Sequence, residues 1–504
     1  MSIVAAAADG VSLRELLPDA EFRGSKDILA FGCTTQPHKV QPGDIFVALS
    51  DAANRACDLL TLAIQRGCSA VVLEPPARDL PVPQCVVSDA REAFGRICHA
   101  LAGNPSQRLK LIGVAGANGK TTTCWLIAGI LSAAGYKTGL LGSLGYFDGL
   151  STVAAEDCTP PADQLAGLLG RMVQNGCTYA VMEASDSALA KSYIAGAQFD
   201  TVCITNFAGE HGQDHAADDL RFTTQRATQR IFRYLAPEGL AVVNADDPVA
   251  ADLLRHFDGP ALTIAIKAPA EISAVLLEQC ASEQTFLLMA GNEAAPVRTQ
   301  MIGMHHVYNC LTAAAVGLAY GIDLVTVARG LESVRQVPGR LERIECGQPF
   351  TVFVDCASTP DAFRTVLNTL RGVVQGRLIC LFGTAGEEDR HLRPLLGRTV
   401  SELADMLVLT TSDPADDNPH VGIEETLLGV HQRCPAVVIV DRRAAIHWAL
   451  AQARPGDCVL LAGSAHVGYR LGSEQIAVAD DRAIARHWLY TVQPYCTLGS
   501  GSWS

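Results

Sequence analysis

Positive charge is in short supply in this chain of 504 residues: 39 lysines and arginines face 53 aspartates and glutamates, for a formal net charge of −14. That balance excludes a surface built for nucleic acid or anionic membrane. Long hydrophobic runs are missing as well. Although 49% of the residues are hydrophobic, no window approaches eighteen consecutive apolar positions, which excludes a helical membrane span. The opening MSIVAAAADGVSLREL lacks a basic stretch followed by an apolar one, so no secretory signal is expected. The 17 cysteines form no Cys-x-x-Cys pair and no regular framework. In a chain of this size they read as reduced, buried thiols of a cytoplasmic protein. There is no internal repeat, and no low-complexity block beyond the small polar tail TLGSGSWS.

What is present is a repeated alternation of short apolar runs and helical stretches. DIFVAL and AVVLEPP read as buried strands with helical CDLLTLAIQRG between them. LKLIGVAG is a strand leading into a glycine loop, and TTCWLIAGILSAAGY is the helix after it. YAVMEAS, TVCITNF and LAVVNADD follow as strands, then a second series: FTVFVD, LICLFG, MLVLTT, AVVIV and CVLLAG. Such alternation predicts an α/β protein with parallel sheets covered by helices. The length calls for roughly three domains rather than one core. Seams at Asn104-Pro105-Ser106 and Gly347-Gln348-Pro349 place them at 1–107, 108–345 and 346–504.

The loop GVAGANGKTTT carries the clearest chemistry. A strict Walker pattern wants glycine where Val114 stands; here the glycines are Gly113, Gly116 and Gly119, followed by Lys120, Thr121 and Thr122. Gly116 and Gly119, around Asn118, let backbone N–H groups curl about phosphates at a helix N-terminus, where the dipole favours anions. Lys120 is placed to reach the terminal phosphates of ATP, and the Thr121 hydroxyl to ligate Mg²⁺.

This loop resembles the ATP loop of the Mur ligases, the ATP-dependent ligases that build the peptidoglycan stem peptide. The resemblance runs over nearly the whole chain and is strongest to the MurE branch, which adds the third amino acid. It is carried in order by KVQPGDIFVAL, CTPPADQL, VMEAS, CITNFAGEHGQDH, VVNADD, IGMHHVYNCLTAAAVGLAYGID, VPGRLERI, VFVDCASTPDAF and LLAGSAH. It implies an N-terminal domain for the UDP-sugar end, a central P-loop ATPase and a C-terminal Rossmann-like acceptor domain. ATP would phosphorylate the substrate's terminal carboxylate, and an amine would attack the acyl phosphate. The resemblance further implies that Glu183 holds the first Mg²⁺ and that His211 stands at the second metal. It implies that Asn309 contacts adenine, Arg340 a nucleotide phosphate and Asp355 the ribose.

Departures from the family gather around the substrates. The resemblance expects a carbamylated lysine within FTTQRATQRIF; counting without gaps puts Gln225 there, and aligning the RIF end puts Thr228 there. Neither forms a carbamate, so a negatively charged oxygen for the second Mg²⁺ is missing. The family's MEVSSH has become Met182-Glu183-Ala184-Ser185-Asp186-Ser187, and its substrate arginine falls at Tyr193, with Lys191 close by. Cys356 and Ser358 replace a tyrosine and a histidine, and FNVYN has become His305-His306-Val307-Tyr308-Asn309. Gln36-Pro37-His38 replaces the DSR that contacts uridine. Ser412-Asp413-Pro414-Ala415 stands at the DNPR clamp, and Gly463-Ser464-Ala465-His466-Val467 replaces GKGHE. An arginine fork for a carboxylate is replaced by neither Ala nor His. FGTAGEEDRHLRP keeps Asp389 and Arg393. Two readings are therefore expected: a Mur-type ligase with altered recognition of its nucleotide-sugar peptide and amino-acid substrates, or a catalytically impaired relative with a regulatory or scaffolding role. A folyl-type ligase is disfavoured by the PGDIFVAL module, which that branch lacks.

Overall fold

The apolar run KLIGVA becomes the strand Lys110–Ala115, buried throughout except at Lys110. Continuous burial of this kind marks a strand covered on both faces, as parallel sheets require. The computed structural model describes residues 10–49, 56–77, 80–207, 226, 228–384, 387–411, 419–463 and 480–492. Two units are separated: Met1–Ser273 with Cys310–Gly330, and Ala274–Asn309 with Leu331–Ser504.

Within the first unit the N-terminal sheet runs Glu21–Arg23, Gln84–Val86, Ala70–Leu73, Ile45–Val47, Cys33–Thr34, parallel except at its first strand. Helix Ala90–Leu101 covers it, opened by the Asp89 carboxylate, which accepts from the Glu92 N–H. The central sheet of this unit runs Gly145–Phe147, Thr138–Gly142, Tyr179–Glu183, Lys110–Ala115, Phe199–Ile204, Leu235–Asn244, Ala261–Ala265. From Thr138–Gly142 onward these strands are parallel. After Lys110–Ala115 the chain crosses to Thr138–Gly142, and later strands fill in on both sides of the first. That reversal of strand order is where open α/β sheets place ligands, beyond the carboxyl ends of the strands. Helix Lys120–Ala133 begins there.

In the second unit, Gln284–Ala290 and Glu293–Thr299 form an antiparallel hairpin. A second sheet runs Glu342–Ile344, Thr351–Asp355, Cys458–Ala462, Leu378–Thr384, Met406–Thr411, Ala436–Val438, parallel except at its first strand. Apolar clusters fill both of its faces, one around Phe353, Phe363 and Phe382, the other around Val354, Ile379 and Leu461. A buried ion pair ties helix Asp481–Val492 in. Arg442 Nε donates to Asp481 Oδ1 at 2.9 Å, and its Nη2 donates to the Ala462 carbonyl at 2.8 Å. The parallel α/β class expected from the sequence is the fold observed.

Candidate functional site

The glycine loop joins Lys110–Ala115 to helix Lys120–Ala133, and its shape depends on two glycines in the left-handed half of φ space. Gly116 has φ 129° and Gly119 has φ 84°. A Cβ on Gly116 would lie 2.3 Å from Thr205 Oγ1, so the loop also needs the missing side chain for space. Its far side is pinned by the end of Phe199–Ile204. Thr205 Oγ1 donates to the Asn118 carbonyl at 2.6 Å, and Asn206 Oδ1 accepts from the Asn118 N–H at 3.0 Å. No side chain caps the helix at Gly119, which leaves its N-terminal N–H groups for an anion. Lys120 Nζ donates to the Gly116 and Ala117 carbonyls at 2.6 and 3.0 Å. Thr122 is buried in the first turn.

Glu183 ends its strand beside this turn and is 2% exposed. Its Oε2 accepts from Thr121 Oγ1 at 3.0 Å, and its Oε1 accepts from Ser143 N–H at 2.8 Å and Ser143 Oγ at 3.2 Å. Gly142 makes room for it: a Cβ there would lie 2.1 Å from Glu183 Oε1. Thr159 Oγ1 donates to the Glu183 carbonyl at 2.8 Å and accepts from the Ser185 N–H at 3.0 Å, fixing the strand end. A half-open cavity of about 310 Å³, lined in part by Trp125, Leu140, Leu144, Phe147 and Thr152, reaches Glu183.

One carboxylate with two hydroxyls is an all-oxygen set, which suits Mg²⁺ shared with nucleotide phosphates rather than caged by protein. In keeping with that, the described residues hold no cluster of three or more His, Cys, Asp or Glu side chains arranged for a metal. The residues present fit both Mg²⁺ and a polyphosphate.

Three residues on, Asp186 accepts from Thr228 Oγ1 at 2.7 Å. Thr228 is wholly buried. Burial pushes the Asp186 carboxyl above its usual range, while the Thr228 hydrogen bond and the Lys120 charge pull it back. Tyr193 stands beside Lys191, whose Nζ lies 5.8 Å from the ring centre.

In the second unit, Asp355 ends strand Thr351–Asp355 and is 7% exposed. Its Oδ2 accepts from the Leu341 N–H at 2.7 Å and its Oδ1 from the Ala357 N–H at 2.8 Å. It thereby holds the turn carrying Arg340, where Leu341 takes φ 48°. Burial pushes the Asp355 carboxyl up, and the Arg340 charge opposes this. Asn309 is buried on helix Met304–Ala319. On the same helix the His305 and His306 rings lie 4.2 Å apart. Burial keeps both neutral, lowering His305 to about 4. The Arg393 of FGTAGEEDRHLRP donates from Nη1 to Glu425 Oε2 at 2.8 Å.

Lys120, Thr121, Thr122, Glu183, Gly116, Asn118 and Gly119 thus converge in the first unit, and Arg340 and Asp355 in the second. His211, Gln225, Ser412 to Ala415 and Ser464 to Val467 lie outside the described residues. Ser143, Thr159, Thr205 and Asn206 were not legible as site residues. Short hydroxyl and amide side chains at strand ends carry no spacing signature, and only the sheet order brings them to the loop.

The sequence profile of the Mur ligase middle domain matches residues 114–317, and that of the Mur ligase glutamate ligase domain matches 339–465. A UDP-N-acetylmuramoyl-L-alanyl-D-glutamate–2,6-diaminopimelate ligase of Gloeobacter violaceus is 37% identical over 487 residues, covering 95% of this chain and 98% of that protein. A UDP-N-acetylmuramyl-tripeptide synthetase of a Roseiflexus species is 35% identical over 483 residues, covering 91% and 94%. A solved UDP-N-acetylmuramoyl-L-alanyl-D-glutamate–2,6-diaminopimelate ligase superposes with a TM-score of 0.67 at 25% identity, covering 96% of this chain and 99% of that one. With a glycine loop backed by a buried glutamate, and likeness along most of its length, the chain belongs to the Mur ligase family.

Proposed function

We propose that this protein is an ATP-dependent ligase that joins an amino acid to a UDP-N-acetylmuramoyl dipeptide through an acyl phosphate. The observation that carries the reading is the Thr121–Glu183–Ser143 oxygen cluster at the mouth of an uncapped helix. The relatives named above, which carry this activity in their names, support the substrate class. The assignment divides the chain at 1–107, 108–345 and 346–504, for the UDP-sugar end, ATP and the incoming amino acid respectively. The reading puts the protein in the cytoplasm.

In this reading the N–H groups between Gly116 and Thr122 bind the ATP phosphates, and Lys120 leaves its loop carbonyls to meet the terminal phosphate. Thr121 and Glu183 hold Mg²⁺, with His211 at a second site. When bound, the metal neutralises charge on the phosphoryl group in transit. Asn309, Arg340 and Asp355 orient the adenine, phosphate and ribose. Glu183, fixed by Ser143 and Thr121, cannot turn away, so the charge it supplies costs no reorganisation during the reaction.

A specific observation favours the alternative, a catalytically impaired relative with a regulatory or scaffolding role. Thr228 spends its hydroxyl on Asp186, Tyr193 stands for an arginine, and Ala415 stands in the acceptor clamp. One reaction separates the readings: MgATP, UDP-N-acetylmuramoyl dipeptide and pooled amino acids, followed by mass spectrometry. A product one residue heavier establishes the ligase and names its acceptor. No product, beside a competent enzyme of the same branch, overturns it.

A further inference from the structure

Two of the departures from the family meet in space. Thr228 is one of two candidates for the position of the expected lysine, and Asp186 falls where the family motif reads serine. They are 42 residues apart in the chain, yet Thr228 Oγ1 donates to Asp186 Oδ1 at 2.7 Å. A second bond holds the same two segments together: Arg230 Nη1 donates to the Ala190 carbonyl at 3.2 Å. Thr228 is wholly buried, and its hydroxyl aims this carboxylate. Among the described residues, no cation forms an ion pair with Asp186. A half-buried carboxylate that has no ion pair among the described residues is stabilised by a charge that arrives to meet it. Asp186 opens the short helix Asp186–Ala190, directly after the strand that ends at Glu183, and the Lys120 charge acts on its carboxyl.

We propose that Asp186, aimed by Thr228, supplies the anionic oxygen that a second divalent cation needs beside the Glu183 site. The inference rests on the MgATP reading above, and it turns one apparent loss into an exchange: a lysine-borne charge gives way to a short acid delivered from the neighbouring segment. Mg²⁺ bound with nucleotide needs only one or two protein carboxylates, the phosphates and water completing its shell. Glu183 and Asp186 meet that need one apiece.

The test counts cations rather than turnover. Mn²⁺ is titrated into the full chain with saturating AMP-PNP, a non-hydrolysable ATP analogue, and free Mn²⁺ is read by electron paramagnetic resonance. Wild type is expected to bind two Mn²⁺ per chain. Asp186→Asn should weaken one of them by at least about tenfold while AMP-PNP still binds, and Asp186→Glu should recover part of the loss. Glu183→Gln should weaken the other. Thr228→Val, which keeps the carboxylate but not its orientation, should weaken the same site as Asp186→Asn. It also serves if Asp186→Asn does not give a cooperative melt. Two unchanged sites in both Asp186→Asn and Thr228→Val overturn the proposal. A single site in wild type overturns it and leaves the ATP reading standing. No binding of AMP-PNP by wild type overturns both.

Discussion

Gly142→Ala tests the geometry of the site through a residue that has no side chain. Gly142 lies on the strand beside Glu183, and its φ is compatible with alanine, so the backbone itself tolerates the change. The conflict is steric. The added Cβ would meet Glu183 Oε1 at 2.1 Å, Cδ at 2.8 Å and Cγ at 3.0 Å. Glu183 must swing away and give up the bonds from Ser143 and Thr121. Hydrogen bonds to a charged group contribute about 1.5–3 kcal/mol each, and partial replacement by water leaves an expected cost of about 2–4 kcal/mol. In the proposed function, turnover should fall at least about a hundredfold, because the displaced carboxylate no longer holds the cation that neutralises the transition state. The double-mutant cycle is decisive. In a Glu183→Ala background the space is empty, and Gly142→Ala should be neutral or stabilising by about 0.4–1 kcal/mol. Urea melts and ligase assays on the four proteins read both quantities. If Gly142→Ala costs as much without Glu183 as with it, the steric argument is wrong.

MgATP should raise the melting temperature of the wild type and Lys120→Ala should abolish that rise, since only a ligand bound to the native state stabilises it; a shift retained in the variant would place nucleotide affinity elsewhere. Asp481→Asn leaves Arg442 buried without its counter-charge and should cost about 3–5 kcal/mol in a urea melt, whereas Arg442→Met with Asp481→Leu should cost much less. Equal costs would show that packing, not charge, holds the last helix. His99 is 1% exposed, neither ring nitrogen has a hydrogen-bond partner among the described residues, and burial lowers it to about 4. Because the unfolded chain takes up that proton near 6.5 and the native state does not, the contribution is full above 6.5 and is lost as pH falls toward 4. The difference amounts to roughly 3 kcal/mol. His99→Leu should flatten stability across that window, and an unchanged slope would refute the assignment.

Where a strand is buried on both faces its sequence announces it, and KLIGVA, TVFVD and CVLLA all lie where the apolar runs predict. The strands of the second unit's hairpin are different. QTFLLMA alternates buried with half-buried positions and EAAPVRT buried with exposed ones, and the second contains a proline. Apolar length does not find them. The better signal was Gly291-Asn292 between paired Ala290 and Glu293, a two-residue turn of the kind that closes hairpins, with Gly291 at φ 57°. That signal is local and weak beside the long parallel runs.

The site divides along the same line between what is local and what is not. Lys120 and Thr121 are legible because loop and helix are contiguous, and Glu183 because an apolar strand ending in a charge is an unusual place for an idle acid. Ser143 and Gly142 matter only because Thr138–Gly142 happens to lie next to Tyr179–Glu183. A sequence compared with its family reports each lost residue separately, and a lost charge registers as damage at one position. It cannot report a replacement arriving from another segment, because nothing in the spacing ties position 228 to position 186. With Thr228 rather than Gln225 at the expected lysine, the fold brings the two to 2.7 Å, and the missing lysine and the altered motif are not two independent losses. They are one local change, and what remains against turnover is the drift in substrate contacts. Such drift weakens or redirects recognition of a substrate without removing the machinery that activates it.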